Sequence, residues 1–245
     1  RDGEHLSLDT TPIPEEAHEV KWVADRAIEF VERSAAGGRP FFCFCSFHEL
    51  IPPCTPPVEF ASLVGPADVL LPERRPGDLE GKPDWYRRCH EGSLACGRYP
   101  GDATLRLYLA TYHAQAAFLD KQLGRLLDAL DALGLRETTI VVFSSDHGLM
   151  LGEHGLWRHG PFLYDPVIHV PLVWRGAGFS AGRTDSGLIE SVDIMPTLLD
   201  ALGVPLPPGV QGVSHHARLS GGDAPGRDSV MAQTRESPDL LVRGI

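Results

Sequence analysis

The 245-residue chain has no run of apolar residues long enough for a membrane-spanning helix, which needs about 18 or more. Positive charge is in short supply. Against 33 Asp and Glu stand 22 Lys and Arg, a formal net charge of −11. That balance excludes a broad electrostatic grip on nucleic acid or on an anionic membrane. An anionic small molecule would have to be met by a local positive site. Cysteine is scarce and odd in number, at five, and no C-x-x-C pair suggests zinc. Cys43 and Cys45 share one face of an apolar run and read as buried thiols, in effect small apolar residues. Cys89 and Cys96 are close enough in sequence for one disulfide. Free thiols fit a reducing compartment such as the cytoplasm, but no address in the chain fixes its location. Also missing are internal repeats, low-complexity tracts, a basic-then-apolar leader and an initiator methionine. Together with the abrupt end at Arg243-Gly244-Ile245, this gives the expectation of a piece of a longer protein.

With 42% hydrophobic residues the chain can bury a core. Acidic residues at Glu15 and Glu16 open a helix whose apolar stripe is Val20, Val23, Ala24, Ala27, Phe30 and Val31. Phe41 to Phe47 reads as a strand buried on both faces. Residues 61–101 are rich in Pro, Gly and charge without a period, a long excursion of the kind that often forms a lid. Asp102 is placed as the N-cap of a long helix that ends near Leu133, with Gly134 beyond it. Val170 to Trp174 is a second buried strand, and Asp193 or its neighbour caps a helix carrying Pro196, Leu198, Leu199 and Leu202. This alternation of helices and strands is an α/β pattern.

The most informative stretch is residues 138–160. Thr139 to Phe143 is β-branched and apolar, a strand by composition. It runs into Ser144-Ser145 and then Asp146-His147-Gly148. A carboxylate and an imidazole thus leave the end of a core strand side by side, where open α/β sheets bind ligands. Asp and His together suit a divalent cation. A bare D-H-G equally suits a strand-end turn in which Asp146 caps backbone amides. Gly148 is expected to supply a sharp backbone turn.

The residues that follow carry a resemblance. Ser145-Asp146-His147-Gly148, Leu151-Gly152-Glu153-His154-Gly155-Leu156-Trp157, Tyr164-Asp165 and His169-Val170-Pro171-Leu172 resemble the sulfatase family of the alkaline-phosphatase superfamily. Pro40-Phe41-Phe42 with Ser46-Phe47, the Tyr112-to-Leu127 helix and Val192-Asp193-Ile194-Met195-Pro196-Thr197-Leu198-Leu199 are similar to further segments of that family.

The resemblance implies an alkaline-phosphatase-like α/β/α sandwich with a mostly parallel central sheet, incomplete on its N-terminal side. Residues 1–204 would be part of the catalytic domain, with 61–101 inserted. Residues 205–245 would be a linker and the start of a small C-terminal subdomain. The implied chemistry is hydrolysis of a small-molecule sulfate ester, or a phosphate or phosphonate ester in related enzymes. Asp146 and His147 would be ligands of a divalent metal, calcium first, manganese or magnesium as alternatives.

Three departures from the family pattern stand out. No cysteine here begins the nucleophile motif C-x-P-S-R, and the family's first aspartate pair is absent. Ile51 occupies the place of a sulfate-contacting His, and an alkyl group neither donates a hydrogen bond nor carries a proton. His159 stands where the family has a Lys; it could act as a cation or as a general acid, with Arg158 beside it restoring positive charge to the substrate. The plainer alternative leaves both on a surface loop. A non-catalytic relative is the reading from another class: Ile51 and His159 favour it, and the intact Asp146-His147-Gly148 opposes it.

Overall fold

His18 starts the first long helix. Its Nδ1 accepts the Val20 amide at 3.2 Å, capping α1 (Glu19–Ala36). Its Nε2 lies 3.1 Å from the Thr55 carbonyl, tying the loop after residue 47 to the same helix end. The acidic residues expected to open this helix form a separate 3₁₀ turn, Glu15–Ala17. The computed structural model describes residues 13–92, 99–237 and 240–244. They fall into two units, one of Arg1–Arg136 with Leu151–Arg158, the other of Glu137–Met150 with His159–Ile245.

In the first unit α1 buries Val20, Ala24, Ala27 and Val31, as its period predicts. Then come α2 (Val58–Ala61), α3 (Asp84–His90) and the 31-residue α4 (Asp102–Ala132). Phe118 of α4 meets His18 edge-on, with ring centroids 4.9 Å apart, and also packs against Phe60 of α2. Arg125 reaches Asp25 of α1 at 2.7 Å. Gly101, not Asp102, caps α4; Asp102 is its first residue and accepts from Tyr99 and Arg74. At the far end Gly134 adopts a φ of 69°. The Leu135 amide returns to the Leu130 carbonyl, and Gly134 to Asp131, which satisfies the last carbonyls of the helix.

The 61–101 excursion is built into this unit. Val69 joins Cys54, Leu105, Tyr108, Leu109, Ala110 and Trp157 in one buried cluster, with Leu71 and Tyr99 packed on it. Cys89 is buried and disulfide-bonded, while Cys96 lies outside the described residues. Cys43, Cys45 and Cys54 are free thiols, and burial pushes Cys45 and Cys54 up to about 11.

In the second unit β1 (Val141–Ser144) pairs with β4 (Leu172–Arg175), Val142 opposite Trp174 and Ser144 opposite Leu172. The pair is antiparallel, where the resemblance implies a mostly parallel sheet. In the first unit's 151–158 segment, β3 (Trp157–Arg158) pairs with the short β2 (Met150–Leu151), and in the second unit α5 (Asp165–Ile168) precedes β4. The remaining elements are α6 (Ile194–Ala201), α7 (His216–Leu219) and a hairpin of β5 (Ala232–Ser237) and β6 (Leu240–Gly244).

The strand expected at 41–47 is extended but joins no ladder among the described residues. Its alternation leaves Phe42 78% and Phe44 83% exposed. On the β1–β4 pair Phe143 and Val173 are likewise exposed. Apolar composition records what a strand is suited to bury, and these faces have no covering layer among the described residues.

Asp193 organises the second unit. It is fully buried, and its carboxylate accepts from Arg227 Nε at 2.9 Å, from the Glu190 amide at 3.0 Å and from the Val213 amide at 2.8 Å. His215 Nε2 stands 3.0 Å away. Asp193 is the N-cap residue of α6, as the sequence placed it, and forms a capping box with Glu190; its side chain also ties residues 213–215 and Arg227 to the entry of α6. Burial alone would raise its pKa. Arg227, the two amides and His215 outweigh that and hold the carboxyl well below the usual range. The resulting stability is present at neutral pH and fades only as pH falls below about 4, where an unfolded Asp protonates. Asp193→Asn leaves Arg227 with Glu190, 3.1 Å away, as its remaining charge partner and strips the buried centre of its carboxylate; it is expected to cost about 3 kcal/mol by urea denaturation at pH 7.

Glu49 behaves in the opposite way. Burial, then the carboxyl of Glu19 in the first turn of α1, pushes it up to about 7. Two carboxyls can share a hydrogen bond only while one holds a proton. The native state therefore binds more protons than the unfolded chain between about pH 4.5 and 7, and stability falls as pH rises through that window. Glu49→Gln is expected to raise the melting temperature at pH 8 and to flatten its decline across this range, as read by calorimetry.

Candidate active site

The backbone leaves β1 through Ser145, Asp146 and His147 and passes under α5. The Gly148 amide donates to the Val167 carbonyl at 2.8 Å. A Cβ on Gly148 would stand 2.1 Å from the Pro166 carbonyl oxygen, so only glycine fits. The sharp turn expected from sequence is made here without a positive φ, and the glycine serves close backbone approach. This contact fixes where the two residues before it are held.

Asp146 is exposed and His147 half-buried. Oδ1 of Asp146 accepts the His147 amide at 2.8 Å, the capping bond that the plainer reading predicted. Ser145 Oγ donates to the His147 carbonyl at 2.9 Å, and Ser144 Oγ to Pro171 at 3.0 Å. The His147 imidazole has Nδ1 2.9 Å from the Gly148 carbonyl. An acceptor there assigns the proton to Nδ1 and leaves Nε2 with its lone pair. His159 is exposed, and its ring centroid lies 4.8 Å from that of His147, with planes inclined by 53°. Asp146, His147 and His159 are thus gathered at one end of β1.

Arg158, the fourth residue singled out, belongs to the first unit. It sits at a φ of 64°, and His154 four residues earlier at 55°. Left-handed backbone in residues with a Cβ costs free energy and collects at functional sites. A motif rich in glycine gave no hint that its non-glycine positions would carry the strain.

The metal expectation has a mixed fit. Among the described residues no three His, Cys, Asp or Glu side chains are gathered as a ligand set. The donors present are nonetheless suitable. Metal-binding imidazoles characteristically give their other N–H to a carbonyl, as His147 does to Gly148. A hard cation such as calcium takes six or more oxygens, so Asp146 and His147 would be two members of a larger set. Two residues escaped sequence reasoning. Glu49, two positions before Ile51, has a proton to exchange near pH 7, and nothing in its sequence neighbourhood announces this. His90 contacts the 152–155 loop from 65 residues away.

Against known proteins, the family model described as Sulfatase matches residues 15–204. The chain is 30% identical over 262 aligned residues to human iduronate 2-sulfatase, covering 89% of this chain and 47% of that protein. It is 33% identical over 204 residues to an arylsulfatase of Clostridium perfringens, covering 82% of this chain and 41% of that one. The chain therefore spans about half the length of the curated relatives it matches. Among solved structures, the phosphonate monoester hydrolase of Silicibacter pomeroyi superposes with a TM-score of 0.81 at 25% identity, covering 95% of this chain and 50% of that one. The fold is thus the alkaline-phosphatase-like α/β fold expected from sequence. With its D-H-G strand end, its G-E-H-G-L-W-R loop and a family match across most of its length, the chain belongs to the sulfatase family.

Proposed function

We propose that this chain contributes part of the active site of a hydrolase of small-molecule sulfate esters, with Asp146 and His147 as metal ligands. The observation that carries the reading is the imidazole pair: His147, its Nδ1 held by Gly148, faces His159 at 4.8 Å. Calcium is the first choice of ion, manganese or magnesium the alternatives. A divalent cation, when bound, offsets charge on the ester oxygens and orients them for attack.

The residues of the chain divide the remaining work. Asp146 brings a carboxylate and His147 a neutral nitrogen, both aligned by backbone hydrogen bonds. His159, exposed beside them, can meet the leaving-group oxygen and deliver a proton to it. Arg158 brings a permanently charged guanidinium, the kind of group suited to an anionic ester. None of the five cysteines begins a C-x-P-S-R motif, so the chain alone offers no nucleophile of the family's kind. A second reading, hydrolysis of phosphonate monoesters or phosphodiesters, is supported by the TM-score of 0.81 to two phosphonate monoester hydrolases. A charged, tetrahedral oxyanion group is common to both.

Two outcomes test the proposal. Titration calorimetry with calcium and with manganese should show binding that Asp146→Ala and His147→Ala each weaken by at least about tenfold, the scale of losing a metal contact. Unchanged binding in both variants would remove the metal assignment. The chain by itself should hydrolyse aryl sulfates and phosphonate esters no faster than buffer. Metal-dependent turnover by this chain, abolished by Asp146→Ala, would point to a nucleophile of another kind.

A further inference from the structure

His147 and His159 are twelve residues apart in sequence, yet their rings are neighbours, both within the second unit. Each is held by its backbone. The bond from the Gly148 amide to the Val167 carbonyl fixes the chain at the first, and Nδ1, 2.9 Å from the Gly148 carbonyl, orients its ring. The second opens a turn in which the Phe162 amide donates to the His159 carbonyl at 3.4 Å. Gly160 within that turn has a φ of 38°, and a Cβ there would lie 2.5 Å from the ring of the buried Phe162. The turn therefore has little freedom, and it sets His159 beside His147.

The spacing of the two rings has a chemical meaning. An imidazole nitrogen binds zinc at about 2.0–2.1 Å, and two imidazoles on one ion, with bonds meeting at roughly 90–110°, have ring centres about 4.5–5.2 Å apart. The observed 4.8 Å lies inside that interval, and the 53° tilt keeps the planes from stacking face to face. His147 commits its Nδ1 proton to a carbonyl, as metal-bound imidazoles do, and so keeps Nε2 for a ligand bond. His159 is exposed, so solvent can complete the coordination. A pair of nitrogens suits zinc, nickel or copper, whereas calcium takes oxygens. A lysine at 159, as in the family pattern, makes no such pair, because a protonated amine has no lone pair to give.

We infer that His147 and His159 together chelate a nitrogen-preferring transition ion, zinc foremost, which competes with calcium for His147. The chelation stands on the ring geometry. Its consequence rests on the proposed function: an imidazole nitrogen that gives its lone pair to zinc carries no proton for a leaving group, so zinc inhibits the acid role assigned to His159.

The test uses the protein at its full natural length, with zinc chloride and calcium chloride as separate probes in titration calorimetry and the histidine Cε1–H signals followed by NMR. Zinc should bind more tightly than calcium and should shift the ring signals of His147 and His159 together. His159→Lys should weaken zinc binding at least about tenfold and leave calcium binding within about twofold. His159→Cys, whose thiolate also suits zinc, should restore zinc binding. Wild-type zinc affinity in His159→Lys, or a zinc-induced shift of one ring without the other, overturns the inference. If that happens while Asp146→Ala still weakens calcium binding, the imidazole pair fails and the metal assignment of the proposed function stands. If Asp146→Ala and His147→Ala leave calcium binding unchanged while His159→Lys weakens zinc binding, that assignment fails and the pair stands.

Discussion

The closest backbone approach at the site is between Gly148 and the turn at Pro166 and Val167. Much follows from it. Since no Cβ fits against the Pro166 carbonyl, the chain after β1 has one path. The hydrogen bond from Gly148 to Val167 locks that path to the start of α5. The Gly148 carbonyl is then available to the His147 imidazole at 2.9 Å. One steric fact therefore sets a backbone route, a ring orientation and a tautomer in turn. Any larger residue at 148 would disturb all three together, because the neighbouring atoms are main chain and cannot rotate aside.

Charge is handled in two contrasting ways. Asp193 is fully buried and remains ionised, since Arg227 and backbone amides supply more than burial removes. Such a group commits the surrounding segments to one arrangement, because every donor that leaves exposes the charge to a cost of several kcal/mol. Glu49 lacks that compensation. Its partner is another carboxyl, so it keeps its proton until about pH 7. The first arrangement is a fixed structural centre, while the second responds to pH at the loop that follows residues 41–47. Groups of the second kind are the ones that sites for proton transfer draw on.

Periodicity and motif made much of the chain legible in advance. The stripe of α1, the reach of the long helix to Gly134 and the gathering of Asp146, His147 and His159 all follow from local pattern. What sequence did not disclose depends on partners far along the chain. Asp193 is the cap that its position announced, but its wider role stayed hidden because its donors Val213, His215 and Arg227 are 20, 22 and 34 residues away. His18 as an N-cap departs from the usual Ser, Thr, Asp or Asn, so propensity pointed elsewhere. The segment 41–47 was read as a strand because its residues suit one; pairing also needs a neighbour, which composition does not encode.

The backbone at Arg158 shows how such long-range effects act on local conformation. Adjacent residues on an extended chain point to opposite sides. A left-handed φ of 64° at Arg158 breaks that alternation at the end of the first unit's 151–158 segment. Left-handed backbone at a residue with a Cβ costs free energy. Its cost has to be met by contacts elsewhere, and those lie on Gly152, His154 and Gly155, made by a segment that sequence pattern alone would class as a loop.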